Sequence, residues 1–311
     1  MGRFRFAALS LAALPLLCPQ EPPTFRSDVR LVRMLATVRN AKGELTGGLS
    51  KDDFEVADNG VPQEVAIFER QTSQPLSISL LVDTSGSTAK DSSYEIDSIR
   101  KFLKAVLAEG NTSDAAALYS FNEDVYLQAP FTRRMERLEA GLRALHSHGA
   151  TALYDALFLA GQDLERRDGR RVVVVVSDGG DTISKMTFPR ALEALHNANA
   201  VLYAILVVPV AADAGRNLRG ENALITLTSW TGGKVFFPTP GLALDQVFQD
   251  ILKDLRTQYL LAYYPKNVPP SRERFHRVTL AVKRPQHTVS ARNGYFSDDV
   301  IGNPPAGPRK P

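Results

Sequence analysis

"LSISLLVDTSGST", residues 76–88, is the stretch on which the fold turns. Its near-continuous apolar run as far as Val82 reads as a strand buried on both faces. The run stops at Asp83, and Ser85 and Ser87 follow at alternate positions. Alternate residues of an extended segment point the same way, so three hard oxygen donors converge just past the strand's end. That is the start of a cation site or of a nucleophile site, and the rest of the chain must decide which.

Working outward, Ile96, Ile99, Phe102, Leu103 and Val106 fall at helical spacing, and "AAALYSF" (115–121) reads as a second buried strand. Helices are expected near 134–146 and 152–166, before the most strand-like stretch, "RVVVVVSD" (171–178). A helix near 188–198, a strand at 200–208, a helix near 221–231, "KVFF" (234–237) and a helix over 242–257 follow. Leu224, Leu227 and Trp230 are expected on one buried helix face, with Gly232 and Gly233 as its stop. Alternating strands and helices imply an α/β fold over 75–258: a doubly wound, mostly parallel, Rossmann-like sheet with helices on both faces.

The flanks read differently. Residues 27–74 hold the alternating "VRLVRMLATVRN" (29–40) and short β-type pieces around 54–56 and 65–68, and 259–296 is again β-type. Two incomplete β units are expected to pair as one small flanking β-sandwich built from N- and C-terminal segments, with the α/β domain inserted between them. Residues 20–26 form a Pro-rich linker, and the tail 297–311 has the composition of a disordered segment.

Residues 1–19 read as a secretory signal peptide: Arg3 and Arg5 precede an apolar run, Phe6 to Cys18, too short to span a bilayer. Cys18, the sole cysteine, stands where a lipoprotein carries its lipid anchor, although Leu17 occupies the place of the usual small residue. No other segment is long and apolar enough for a transmembrane span. The 37 Lys and Arg are interleaved with 34 acids, giving a net charge of +3 without an aromatic-plus-basic stripe, so nucleic acid is not an expected partner.

Ligands of an open α/β sheet gather outside the carboxyl ends of its strands. Three segments bring oxygen donors there: Asp83, Ser85 and Ser87; Thr151 in "GATALYDA" (149–156); and Asp178 in "VVSDGGDT" (175–182). Taken singly, Asp83 reads as a turn residue, the serines as turn hydroxyls and Thr151 as a helix cap. Their joint placement favours a cation. An aspartyl-phosphate phosphatase needs a second acid two residues after Asp83, where Ser85 stands, and no G-x-S-x-G elbow is present. His146 and His148 lie just before Thr151 without a positioned acid, and the chain is not expected to be an enzyme.

These segments resemble the von Willebrand factor A (VWA) domain with its metal-ion-dependent adhesion site (MIDAS). Asp83, Ser85 and Ser87 match the D-x-S-x-S element, Thr151 the lone threonine and Asp178 the second aspartate; Asp181 and Thr182 fall where a second shell would orient waters or Asp178. The flanks "GGLSKDDFEVADNGVPQEVAIFER" (47–70), "LRTQYLLAYYP" (255–265) and "VSARNGYF" (289–296) look like a secreted VWFA-related family described mainly from Acidobacteria. The resemblance implies an exported module, periplasmic, cell-surface or extracellular. In it Mg²⁺, with Mn²⁺ or Ca²⁺ as alternatives, takes a partner protein's Asp or Glu as its last ligand. Two other readings stand beside it: a structural VWA protein whose metal site only stabilises the fold or an intramolecular contact, and a metal-assisted hydrolase.

Overall fold

The computed structural model describes residues 31–70, 74–86, 92–207, 217–238, 243–269 and 274–297. The signal peptide, Cys18, the Pro-rich linker, Ser87 and all of the tail beyond Ser297 lie outside the described residues.

A six-stranded sheet forms the centre. Its strands are β5 (Leu76–Asp83), β6 (Ala115–Phe121), β7 (Val125–Thr132), β8 (Arg170–Ser177), β9 (Ala200–Leu206) and β10 (Lys234–Phe236), in the order β10-β9-β8-β5-β6-β7. The pairs from β10 through β6 are parallel. The first connection of the domain leaves β5 for β6 on one side, whereas the chain from β8 moves on to β9 on the other. Strand order therefore reverses between β5 and β8, and that crevice is where ligands of such sheets bind.

Among the described residues six α-helices cover both faces: α1 (Ser92–Glu109), α2 (Met135–Arg143), α3 (Leu153–Glu165), α4 (Phe188–Asn197), α5 (Leu218–Thr231) and α6 (Ala243–Thr257). Period-two alternation sends Ile78, Leu80, Val82, Val172 and Val174 to one core with Phe102 of α1, Leu138 of α2 and Phe248 of α6. Leu81, Val173 and Val175 go to the other, with Leu157 of α3, Leu195 of α4 and Leu224 of α5. Each central strand thus has no solvent face, which is why its sequence is apolar without interruption. α5 ends at Gly232, whose φ of +86° is a left-handed cap.

Two elements depart from the sequence expectation. β7 is an added antiparallel edge strand, paired to β6 through a register irregularity. Its sequence hides it: Tyr126 and Leu127 are solvent-exposed, and Pro130 is tolerated because an edge strand has a free side. On α5, Leu224 and Leu227 are fully buried as expected, but Trp230 is 39% exposed and rests edge-on against Phe188 with ring centroids 6.2 Å apart. A helix stripe predicts the direction of a side chain, not how far the neighbouring layer extends to cover it.

The terminal segments make two antiparallel sheets. One has the order β13-β1-β11-β4, from β1 (Val32–Arg39), β4 (Ile67–Arg70), β11 (Tyr259–Tyr263) and β13 (Thr288–Ala291). The other, β14-β12-β2-β3, uses β2 (Phe54–Asp58), β3 (Val61–Gln63), β12 (Phe275–Val282) and β14 (Gly294–Phe296). Both sheets interleave N- and C-terminal strands, as β1 with β11 and β2 with β12. Met34, Val38, Phe54, Val56, Leu261, Tyr263 and Val278 share their core. Neither end can bury its apolar face alone, so the α/β domain sits inside one composite sandwich.

Candidate functional site

The carboxyl ends of β5 and β8 deliver the oxygen donors. Asp83 closes β5 and is 3% exposed. Its Oδ1 accepts from the Ser85 N–H at 2.9 Å, which folds the chain back after the strand, and its Oδ2 accepts from the Ser177 hydroxyl at 2.5 Å. Ser85 is buried at the same spot. The turn is pinned to two neighbours: the Thr84 N–H donates to the Phe121 carbonyl at 2.9 Å, and the Gly86 N–H to the Gly149 carbonyl at 3.3 Å. Ser87 lies outside the described residues.

Asp178 stands one residue past β8, half-buried, with Oδ1 accepting from the Gly180 N–H at 2.8 Å. Gly179 adopts φ +84°, and its N–H donates to the Ser177 hydroxyl at 3.0 Å. Ser177 therefore bridges both turns. Sequence reading passed over it, although it directly precedes Asp178 in the quoted motif; a serine inside a valine strand gives no pattern of its own.

Thr151 is buried in the loop before α3. It does not cap that helix: the cap is Ala152, without a side-chain bond. The capping is done from the β8–α4 loop instead. Ser184 Oγ accepts from the Tyr154 and Asp155 N–H groups at 3.0 and 3.2 Å, and Asp181 Oδ1 accepts from Ser184 Oγ at 2.5 Å and from the Tyr154 N–H at 3.3 Å. The Asp155 carboxylate returns the contact, taking the Met186 N–H at 2.6 Å. Thr182 Oγ1 accepts from the Thr151 N–H at 2.9 Å while the Thr182 N–H donates to the Thr151 carbonyl at 2.8 Å. So Thr182 fixes the position of Thr151, and Asp181 is spent on the helix start.

Asp178 and Thr151 border one space. A Cβ added at Gly180 would lie 3.0 Å from Asp178 Oδ1 and 3.8 Å from Thr151 Oγ1, so the missing side chain leaves room between the two. Burial pushes the Asp83 carboxyl above its ordinary range, against the bonds from Ser177 and Ser85, and the nearby negative charge of Asp178 pushes it further. A buried carboxylate beside a second carboxylate, with hydroxyls and no soft ligands, is a donor set for a hard divalent cation.

Asp83→Asn keeps an acceptor for the Ser85 N–H and removes a buried charge, so it is expected to melt above the wild type in EDTA and to lose any response to Mg²⁺. Thermal unfolding in EDTA checks the sign, and a lower melting point for the variant contradicts it.

His146 and His148 are exposed loop residues. His148 Nδ1 meets Asn122 Nδ2 at 2.9 Å, an amide rather than the carboxylate that would orient a general base.

Residues 78–180 match the von Willebrand factor type A domain family. Among solved structures, an aerotolerance-related membrane protein of Bacteroides fragilis is similar at 15% identity and a TM-score of 0.45, over 58% of this chain and 98% of that one. The vWF domain of the type V pili tip protein Mfa5 of Porphyromonas gingivalis is similar at 15% identity and 0.46, over 59% and 97%. The open conformation of the pilus adhesin SpaC of Lactobacillus rhamnosus GG is similar at 9% identity and 0.49, over 84% and 47%. No curated protein matches the sequence. The family match over residues 78–180 and the strand order together show a von Willebrand factor type A fold in the α/β portion of this chain.

Proposed function

We propose that the chain is an exported protein-interaction module that captures an acidic group of a partner protein through a divalent cation, Mg²⁺ in the first instance. Asp83, Ser85, Ser87, Thr151 and Asp178 hold the ion in this reading. What supports it is that Asp83 and Asp178 follow from neighbouring strands at the sheet's topological switch point, near enough for the charge of one to act on the other, with Ser85 bonded to Asp83 and Thr151 near Asp178.

A bound ion of this kind supplies an open coordination position for a carboxylate. The chain's own residues supply everything else. The two aspartates balance its charge, Ser177 holds the Asp83 carboxylate in place, and Thr182 holds Thr151. Hydroxyl ligands leave the ion more electrophilic than an all-carboxylate set would, which favours an external carboxylate as the remaining ligand. The reading includes no catalytic step. Export rests on the composition of residues 1–19; among the described residues no helix is long and apolar enough to cross a membrane.

Thermal unfolding of the full chain in EDTA and in Mg²⁺ tests it, for the wild type and for Asp83→Ala with Asp178→Ala. At a hundred times the dissociation constant a ligand adds about 2.7 kcal/mol. In a domain of this size that raises the melting temperature by roughly 5–10 °C. The rise is expected in the wild type and absent in the double variant; equal melting of the two in every divalent cation tried would remove the metal from the reading.

A second reading is favoured by Glu123, whose Oε1 lies 2.6 Å from where a Cβ of Gly149 would stand, beside the Gly86 turn. An internal carboxylate at the rim would make the site a lock within the molecule. Under that reading Glu123→Gln lowers Mg²⁺ affinity; under the partner reading it leaves affinity unchanged or raises it.

A further inference from the structure

A cavity of about 110 Å³ lies at the opposite end of the central sheet, where the sandwich meets the α/β domain. The residues that open β8 and β9, Arg170, Arg171 and Ala200, line it, together with Arg33 of β1 and Arg292 after β13. From here to Asp83 the chain runs the length of β5, roughly 25 Å at the usual strand rise. The cavity is thus separate from the oxygen cluster.

Its charge is one-sided. Four arginines, Arg33, Arg170, Arg171 and Arg292, line it with one acidic residue, Asp168. Among the described residues Arg33, Arg170 and Arg171 are in no ion pair. Arg170 is 7% exposed; one of its terminal nitrogens donates to the Leu255 carbonyl and the other to that of Gln74 at 3.4 Å, while its Nε has no hydrogen-bond partner among the described residues. Arg171 donates to the Arg167 and Ala198 carbonyls at 2.6 and 2.7 Å. Asp114 near Arg170, and Asp168 and Glu165 near Arg171, offset part of the charge; even so, burial holds both guanidiniums below their ordinary value. His196, also in the wall, adds no charge: it is buried, and its Nδ1–H donates to the Gly294 carbonyl at 2.9 Å.

Arg170 is buried and Arg171 half-buried, and cations so placed are costly unless something of the other sign meets them. A site of this volume has room for several waters or one small polyatomic ion, since a water needs only roughly 10–15 Å³ of such space. Guanidiniums presented from two domains suit an ion with acceptor oxygens in several directions, as a phosphate group has. We propose that the arginine-lined cavity between the sandwich and the VWA domain binds a phosphate-class oxyanion and thereby clamps the two together.

The test is calorimetric titration of the full chain with inorganic phosphate, in EDTA and at constant ionic strength, so that the metal site is silent. Saturable millimolar or tighter binding is expected in the wild type and in Asp83→Ala with Asp178→Ala. Arg33→Glu, at an exposed position, is expected to weaken it at least tenfold with little change in melting temperature, and Arg171→Gln to weaken it as well. A parallel titration with glycerol phosphate tells a free ion from an esterified phosphate reaching in from the mouth; saturation by either supports the site. No saturation with either compound, or wild-type affinity in both arginine variants, overturns the proposal. Because the Asp83/Asp178 variant is included, loss of the metal reading and loss of this one are told apart.

Discussion

Gly220→Ala lowers the melting temperature by roughly 6–12 °C, or about 3 kcal/mol, in urea or thermal unfolding. Local propensity argues the other way, since alanine in a helix is favoured over glycine by about 1 kcal/mol. The tertiary contact decides the sign. Gly220 lies in the first turn of α5, where its N–H donates to Asn217 Oδ1 at 3.0 Å, and an added Cβ would stand 1.7 Å from the Gly179 carbonyl oxygen. That atom is backbone in a turn already held at φ +84°, so relief requires moving either α5 or the Gly179 turn that places Asp178. If the site holds Mg²⁺ as proposed, the variant also weakens that binding by more than its stability loss alone explains. Gly86→Ala is the contrast, because its Cβ would meet the Gly149 carbonyl oxygen at an ordinary 3.7 Å. A Gly220→Ala protein as stable as the wild type would show that the close approach is not maintained.

Acidification from pH 7 to pH 4 is expected to cost the folded state on the order of 3 kcal/mol through His196 alone. The ring is 3% exposed, packed against Phe275 and Phe296 at centroid distances of 5.5 and 6.0 Å. Burial first, and the positive charge of Arg292 second, hold its pKa down to about 4 from the ordinary 6.5. Between those values the unfolded chain binds a proton that the native chain refuses. Stability therefore rises with pH across the window and is lost as pH falls through it. The loss falls on the junction between α4 and β14, because Nδ1 bonds the Gly294 carbonyl. His196→Asn keeps a donor near that carbonyl and does not titrate, so its stability should change between pH 7 and 4 by about 3 kcal/mol less than that of the wild type. Parallel slopes for the two proteins would place the acid sensitivity elsewhere.

Much of this molecule was legible in the order of its residues. Strands buried on both faces must be apolar throughout, and that is how β5, β6, β8 and β9 announce themselves in "LSISLLVD", "AAALYSF", "RVVVVVSD" and the run from Ala200. The spacing D-x-S-x-S, the threonine after "GA" and the aspartate after the valine strand marked the candidate site, because a strand's end fixes where the next side chain points. Two half-built β units, one at each end, foretold the composite sandwich.

The tertiary structure alone decided the rest. β7 is half-exposed and contains Pro130, so its identity as a strand comes from its pairing with β6. Ser177 matters because β5 and β8 are adjacent, which brings its hydroxyl to Asp83 across 94 positions of sequence. Asp181 turned out to hold the start of α3 and Thr182 to hold Thr151, a division that depends on how two loops pack. The arginine-lined cavity joins Arg33 to Arg170 and Arg171, residues no periodicity connects. Period and spacing are local properties that a sequence carries whole, whereas long-range contacts depend on which surfaces meet, and only the folded chain fixes that.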